Sequence, residues 1–157
     1  MPVHIDISVS EDRWGDVSQW APLAEQCIAT TTQRLDMDQA DSEVSILMTD
    51  DAAIQEMNAH YRGQDKPTNV LSFPAIAGIK TGVLPPLLGD IVLAFETISR
   101  EAQIEGKPLE HHVAHLIIHG FLHLLGYDHE TDAQAREMEA MESLILGELN
   151  IDDPYRD

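Results

Sequence analysis

Six of the eight histidines in this 157-residue chain lie between positions 111 and 129, and His119, His123 and His129 are spaced to do chemistry. Four residues on an α-helix amount to about 40° of rotation and roughly 6 Å of rise, so His119 and His123 project from one face. Gly126 stands where such a helix would stop, because glycine takes the left-handed C-cap conformation without a Cβ clash. Past that turn the chain can fold back and bring His129 toward the first two. Three neutral imidazoles converging in this way leave one tetrahedral position for water or substrate. That is the arrangement of a catalytic zinc site, with one Zn²⁺ per chain. A lone histidine on an apolar helix is more often a satisfied core residue. Here Leu116, Ile117, Phe121, Leu122, Leu124 and Leu125 make the helix apolar around most of its circumference. Burying several imidazoles on such a helix without partners is costly, and a metal supplies one partner for all three.

His111, His112 and His115 are rivals for the ligand role. A set of 115, 119 and 123 would fan out over about 80° along two helical turns, poor for one tetrahedral ion. The expected ligands are therefore His119, His123 and His129. His115 is a candidate to stand behind them, and Asp128 either orients an imidazole or serves only the turn. Gly120 interrupts the helix at a cost of about 1 kcal/mol relative to alanine. A physical reason would be the close approach of another element, such as a strand carrying substrate-binding groups. In the protease motif His-Glu-x-x-His this position holds the glutamate base, so the usual peptidase base is missing.

Charge narrows the ligand class. The chain carries a net −19, with −10 in residues 1–59, −8 in residues 111–157 and only −1 in residues 60–110. A nucleic-acid binder normally has a basic footprint, and globally this chain lacks one. An anionic ligand should meet the middle third, which holds Arg62, Lys66, Lys80, Arg100 and Lys107. Arg62, in a glycine-bearing loop, is the candidate to hold a phosphodiester; its plainer role is a surface arginine capping the preceding helix. The acidic remainder serves solubility or meets a basic protein.

The elements that must position these groups follow from periodicity. Val3, Ile5, Ile7 and Val9 alternate as a strand with His4 outward, and a polar connection over Asp12–Asp16 leads to a helix from about Ser18 to Leu35. An acidic loop (Asp36, Asp38, Asp41) precedes a second strand, Glu43–Thr49, with Val44, Ile46 and Met48 alternating. A helix started by Asp50 and Asp51 runs to about Tyr61 and buries Ile54 and Met57. Then come a polar turn, a short strand from Val70 to Phe73 stopped by Pro74, an irregular stretch over 75–88, and a strand from Gly89 to Ala94. Three helices close the chain: about Glu96–Glu105, about Leu109–Leu125 with the histidines, and about Asp132–Leu149. The last should turn Met138, Met141, Leu144, Ile145 and Leu149 inward. The fold class is α+β: one mixed sheet of about four strands with helices packed on it, residues 1–157 forming a single domain.

Hydrophobic content of 43% with 24% charge suits a soluble globular protein. No apolar run is long enough for a membrane span, and the N-terminus does not read as a signal peptide. With Cys27 alone, no intrachain disulfide can form, which fits a reducing cytoplasm. Cys27 is expected to pack as a small hydrophobe.

Four blocks resemble the YbeY family, the bacterial single-strand-specific metal-dependent endoribonucleases of ribosome maturation. They are Asn58-Ala59-His60-Tyr61-Arg62-Gly63, Lys66-Pro67-Thr68-Asn69-Val70-Leu71-Ser72-Phe73-Pro74, Leu88-Gly89-Asp90-Ile91 and the run from His119 to His129. The resemblance implies zinc on His119, His123 and His129 and an activity-determining arginine at Arg62. With it, Arg62, Lys66 and Ser72 become the expected substrate contacts. It also implies action on single-stranded RNA in 3′-end maturation of small-subunit (16S) ribosomal RNA and in ribosome quality control. The implied partners are the ribosome and its assembly proteins, with neither membrane nor DNA involved. Asn69 departs from the aspartate of many members and is left out of the catalytic set. Two other readings stay open: a metzincin-like hydrolase or peptidase, and a non-catalytic assembly factor with structural zinc. The acidic surface predicts weak binding to free RNA, the ribosome or a basic partner supplying much of the affinity.

Overall fold

Val44, Ile46 and Met48 are buried on one face of the second strand, and the chain builds outward from that strand. The structure is a computed structural model that describes residues 3–37, 41–75 and 85–155. Strand β1 spans His4–Val9, helix α1 Val17–Arg34, β2 Glu43–Thr49, α2 Asp51–Arg62 and β3 Val70–Pro74. They are followed by β4 Leu87–Ala94, α3 Phe95–Glu105, α4 Leu109–Leu124 and α5 Asp132–Glu148. The sheet order is β1-β2-β4-β3, with β1, β2 and β4 parallel and β3 antiparallel to β4. The fold is therefore α+β with one mixed four-stranded sheet, as the periodicity predicts.

Helices α1 and α4 share the main core with the sheet, where Ile46, Met48, Ile91 and Leu93 meet Cys27, Ile28, Ile117 and Phe121. Burial pushes the Cys27 thiol up to about 12, so it packs as a small hydrophobe and is inert at neutral pH. Helix α2 caps a smaller cluster of Ile54 with Leu71, Val92 and Ala94. Among the described residues no helix is long and apolar enough to cross a membrane.

Three local expectations need revision. The connection over Asp12–Asp16 is not simply polar: Asp12–Trp14 is a short 3₁₀ turn that buries Trp14. The Trp14 indole N–H donates to Thr49 O at 2.9 Å, and Trp20 donates to Trp14 O at 2.7 Å, so its polar group is satisfied inside. Leu144 is exposed, whereas Glu142 is fully buried; the inward stripe of α5 runs through Met138, Glu142, Ile145 and Leu146. The carboxylate occupies the inner face because it finds partners there. Within the irregular stretch, residues 76–84 lie outside the described residues, as does Asp38, and β4 begins earlier than expected, at Leu87.

Candidate metal centre

Helix α4 ends as its sequence requires. Gly126 has φ of +103° and donates its N–H to His123 O, while Tyr127 donates to Leu122 O, each at 3.0 Å. These bonds satisfy terminal carbonyls and turn the chain back over the helix end. His129 thereby returns to His119 and His123. One nitrogen from each ring lies within 4.8 Å of the other two, and no thiol or carboxylate belongs to the group among the described residues. Ring centroids are 4.9 Å apart for 119–123 and 123–129, and 5.8 Å for 119–129.

The donor chemistry fits a metal. His119 Nδ1 lies 2.7 Å from Glu142 Oε2; an ionised carboxylate only accepts, so the hydrogen sits on Nδ1 and the lone pair on Nε2. Burial first, then the neighbouring His119 and His129 rings, with Asp128 opposing and Arg62 adding, lowers His123 to about 4. That ring is neutral at pH 7, as a ligand must be. Three imidazoles suit a borderline divalent ion such as zinc.

Glu142 was not among the candidates. It is fully buried, and its Oε1 accepts from His115 Nε2 at 2.7 Å and from Tyr155 Oη at 2.5 Å. Burial alone would raise its pKa; hydrogen bonds from His115 and His119, the electrostatic pull of the His119 ring and the Tyr155 bond outweigh it and hold the carboxyl at about 2. A signal existed: Glu142 stands four residues after Met138 and three before Ile145, on the buried stripe. His115 thus meets the same carboxylate as His119 and is linked through it to that one ring of the three.

A cleft of about 510 Å³ opens over the histidines, bounded by Asp128 and Glu130 on one side and Arg62, Thr68, Asn69 and Ser72 on the other. Strand β3, the loop before it and the end of α2 form this second wall, and Gly120 explains how α4 comes so close to β3. A Cβ at position 120 would lie 3.1 Å from both Ser72 Oγ and Ile91 Cγ2. Arg62 ends α2. Its Nη2 donates to Ser72 O at 2.9 Å, and its guanidinium carbon is 5.8 Å from the centre of the Phe73 ring. It is therefore fastened across to β3 and not left free at the helix end. Asn58 Nδ2 donates to Lys66 O at 3.0 Å and ties down the loop between α2 and β3.

Ser72 lines the cleft, but Lys66 is exposed and does not; Thr68 and Asn69 stand there instead. Asn69 Nδ2 donates to Glu101 Oε1 at 3.0 Å while its Oδ1 accepts from Val70 N–H at 2.7 Å. Asp128 accepts from the His129 backbone N–H at 2.8 Å, which is the turn role.

Three histidines on a helix and its turn, backed by a buried carboxylate and open to a cleft, define a protein with a three-imidazole site that can bind a metal. A model of the family described as Endoribonuclease YbeY matches residues 6–150, and the chain belongs to that family. A Bradyrhizobium sp. strain BTAi1 protein named Endoribonuclease YbeY is 46% identical, the match covering 97% of this chain and 92% of its own. Its namesake in Bradyrhizobium diazoefficiens is 48% identical over 97% of this chain and 85% of its own. Rhodopseudomonas palustris strain BisB18 has another, 45% identical over 100% and 95%. The solution structure of TM1509 from Thermotoga maritima aligns over 98% of this chain and 99% of its own with a TM-score of 0.58. At 24% identity, that likeness is one of fold.

Proposed function

We propose that the chain is a zinc-dependent endoribonuclease of single-stranded RNA, acting in the cytoplasm on the 3′ end of small-subunit (16S) ribosomal RNA and in ribosome quality control, with residues 1–157 as one domain. The observation that carries the reading is the presence of three imidazoles and one guanidinium in a single cleft. Relatives at 45–48% identity bear the name Endoribonuclease YbeY, which supports the reaction class. The choice of ion, the preference for single strands and the ribosomal role come from the family resemblance.

His119, His123 and His129 would hold the ion. Bound there, it would supply Lewis-acid polarisation of a phosphoryl oxygen and a lowered pKa for nearby water. Arg62 spends one N–H on Ser72 O and lies against the Phe73 ring, so its head is fixed, and its remaining donors, without another partner among the described residues, can bracket a phosphate. Such anchoring lets the guanidinium meet developing negative charge without reorganising. Ser72 lines the cleft, and its Oγ lies against Gly120. That packing weighs against a metzincin-like peptidase, since a glutamate at position 120 would crowd the Ser72 and Ile91 side chains. With a net charge of −19, affinity for bare RNA is low, and the ribosome or a basic assembly protein supplies the rest. Tight, steeply salt-dependent binding of the isolated chain to naked single-stranded RNA would contradict this last point.

The test uses the full chain with labelled single-stranded and duplex RNA. Cleavage of the single strand should stop with a chelator and return with zinc. Arg62→Ala should lower kcat/KM about 10²- to 10³-fold, as loss of one charge-stabilising donor does, with zinc stoichiometry intact. Chelator-insensitive cleavage, or turnover of peptides in place of RNA, overturns the proposal.

A further inference from the structure

His115 and His119, one turn apart on α4, share one carboxylate and offer it different nitrogens. Glu142 Oε2 lies 2.7 Å from His119 Nδ1, and Oε1 lies 2.7 Å from His115 Nε2. Because the ionised carboxylate only accepts, each of these nitrogens carries a hydrogen. His119 therefore keeps its lone pair on Nε2, beside His123 and His129. His115 keeps its lone pair on Nδ1, which is buried without a hydrogen-bond partner among the described residues. The two rings are forced into opposite tautomers by a single side chain.

The carboxylate is itself held in register. Tyr155 Oη donates to Oε1 at 2.5 Å, the oxygen that also faces His115, and so leaves Oε2 to His119. Asp153 Oδ1 accepts from Ser143 Oγ at 2.7 Å and from the Tyr155 N–H at 2.9 Å. Ser143 is the neighbour of Glu142 on α5, so the segment after α5 is tied back beside the group it steadies.

We infer that Glu142 is the positioning residue that sorts these histidines, making His119 a metal ligand and His115 a non-ligand, and that Tyr155 fixes which oxygen each receives. This rests on His119, His123 and His129 being the metal centre. A purely structural role for the same buried network would cost stability when disturbed but would leave tautomers and zinc affinity alone.

The experiment uses the full chain, metal-free at the start. Long-range proton–nitrogen NMR at neutral pH should show His119 protonated on Nδ1 and His115 on Nε2. Competition against a chromophoric chelator then gives zinc affinity. Glu142→Gln keeps the shape but has one accepting oxygen for two histidines, and should weaken zinc about 10- to 100-fold, the usual effect of losing a ligand's hydrogen-bond partner. Tyr155→Phe should weaken it by about fivefold, the worth of one hydrogen bond. Circular dichroism checks that each variant is folded. His119 protonated on Nε2 in the wild type, or wild-type zinc affinity in both variants, overturns the inference alone. A wild type that binds no zinc removes the metal reading and this inference with it. If Glu142→Gln does not fold, the wild-type tautomers and Tyr155→Phe still decide.

Discussion

Helix α4 carries histidines along its whole length, yet its two halves put them to opposite use. In the first half, His112 and His115 each meet a carboxylate from another helix: Glu101 of α3 at 2.8 Å and Glu142 of α5 at 2.7 Å. In the second half His119 and His123 face each other, with His129 returning to them, and open onto the cleft. His119 belongs to both arrangements, one nitrogen on Glu142 and the other left for an ion. Residue type and spacing nominate ligands; what packs opposite the helix selects among them. Opposite the first half stand helices bearing acids. Opposite the second stands β3, which brings a serine, backbone carbonyls and the fastened Arg62.

Replacing histidines one at a time is the strongest way to break this comparison. His119→Ala, His123→Ala and His129→Ala should each reduce bound zinc from one per chain to none at micromolar metal. The expected affinity loss exceeds the roughly 10- to 100-fold of a lost supporting partner. His112→Ala should leave the stoichiometry at one, as measured by elemental analysis of the purified protein; loss of metal there would erase the distinction between the halves. Gly120→Val tests the close seat on β3. Its branched side chain must enter space where even a Cβ meets Ser72 and Ile91 at 3.1 Å, and urea unfolding should show a loss of about 1–3 kcal/mol. A smaller effect belongs to Glu101→Ala, which strips the partner from buried His112 and from the Asn69 amide. It should cost about 1–2 kcal/mol of stability without touching zinc affinity.

Much of this is legible in the sequence itself. The alternation of β1 and β2, Gly126 as the end of α4, and the need for something to approach Gly120 are all local consequences of backbone geometry. Period and turn chemistry carry them. What escaped was long-range. Trp14 sits in a stretch rich in charge, and nothing local says that its indole will reach Thr49, 35 residues away. Carboxylates usually face water, and it is the three donors to Glu142, two of them on α4 and one after α5, that make its burial tolerable. Lys66 illustrates the converse. It is a cation in a suggestive loop, yet the Asn58 bond to its carbonyl orients the backbone while its side chain stays exposed outside the cleft lining.

The finest test of the two halves is the pH dependence of the metal-free chain. His123 is neutral in the fold down to about 4, against 6.5 for an ordinary histidine, chiefly through burial and then through the neighbouring His119 and His129 rings. Between those values the unfolded chain binds a proton that the folded chain refuses. Stability therefore rises with pH across this window: the His123 contribution is complete above 6.5 and is lost as pH falls toward 4. His112 is lowered too, by burial first, with Glu101 pulling the other way, and adds a contribution of the same sign. Glu142 acts lower down, its contribution present above 4.5 and lost toward 2. Urea midpoints followed from pH 6.5 down to 4 should thus fall steadily in the wild type and less steeply in His123→Ala, with part of the slope remaining because His112 is still there. Identical slopes would mean that the cleft half of α4 holds its imidazoles in water-like surroundings. The contrast between a buried, carboxylate-paired half and a desolvated, metal-ready half would then fail on its second term.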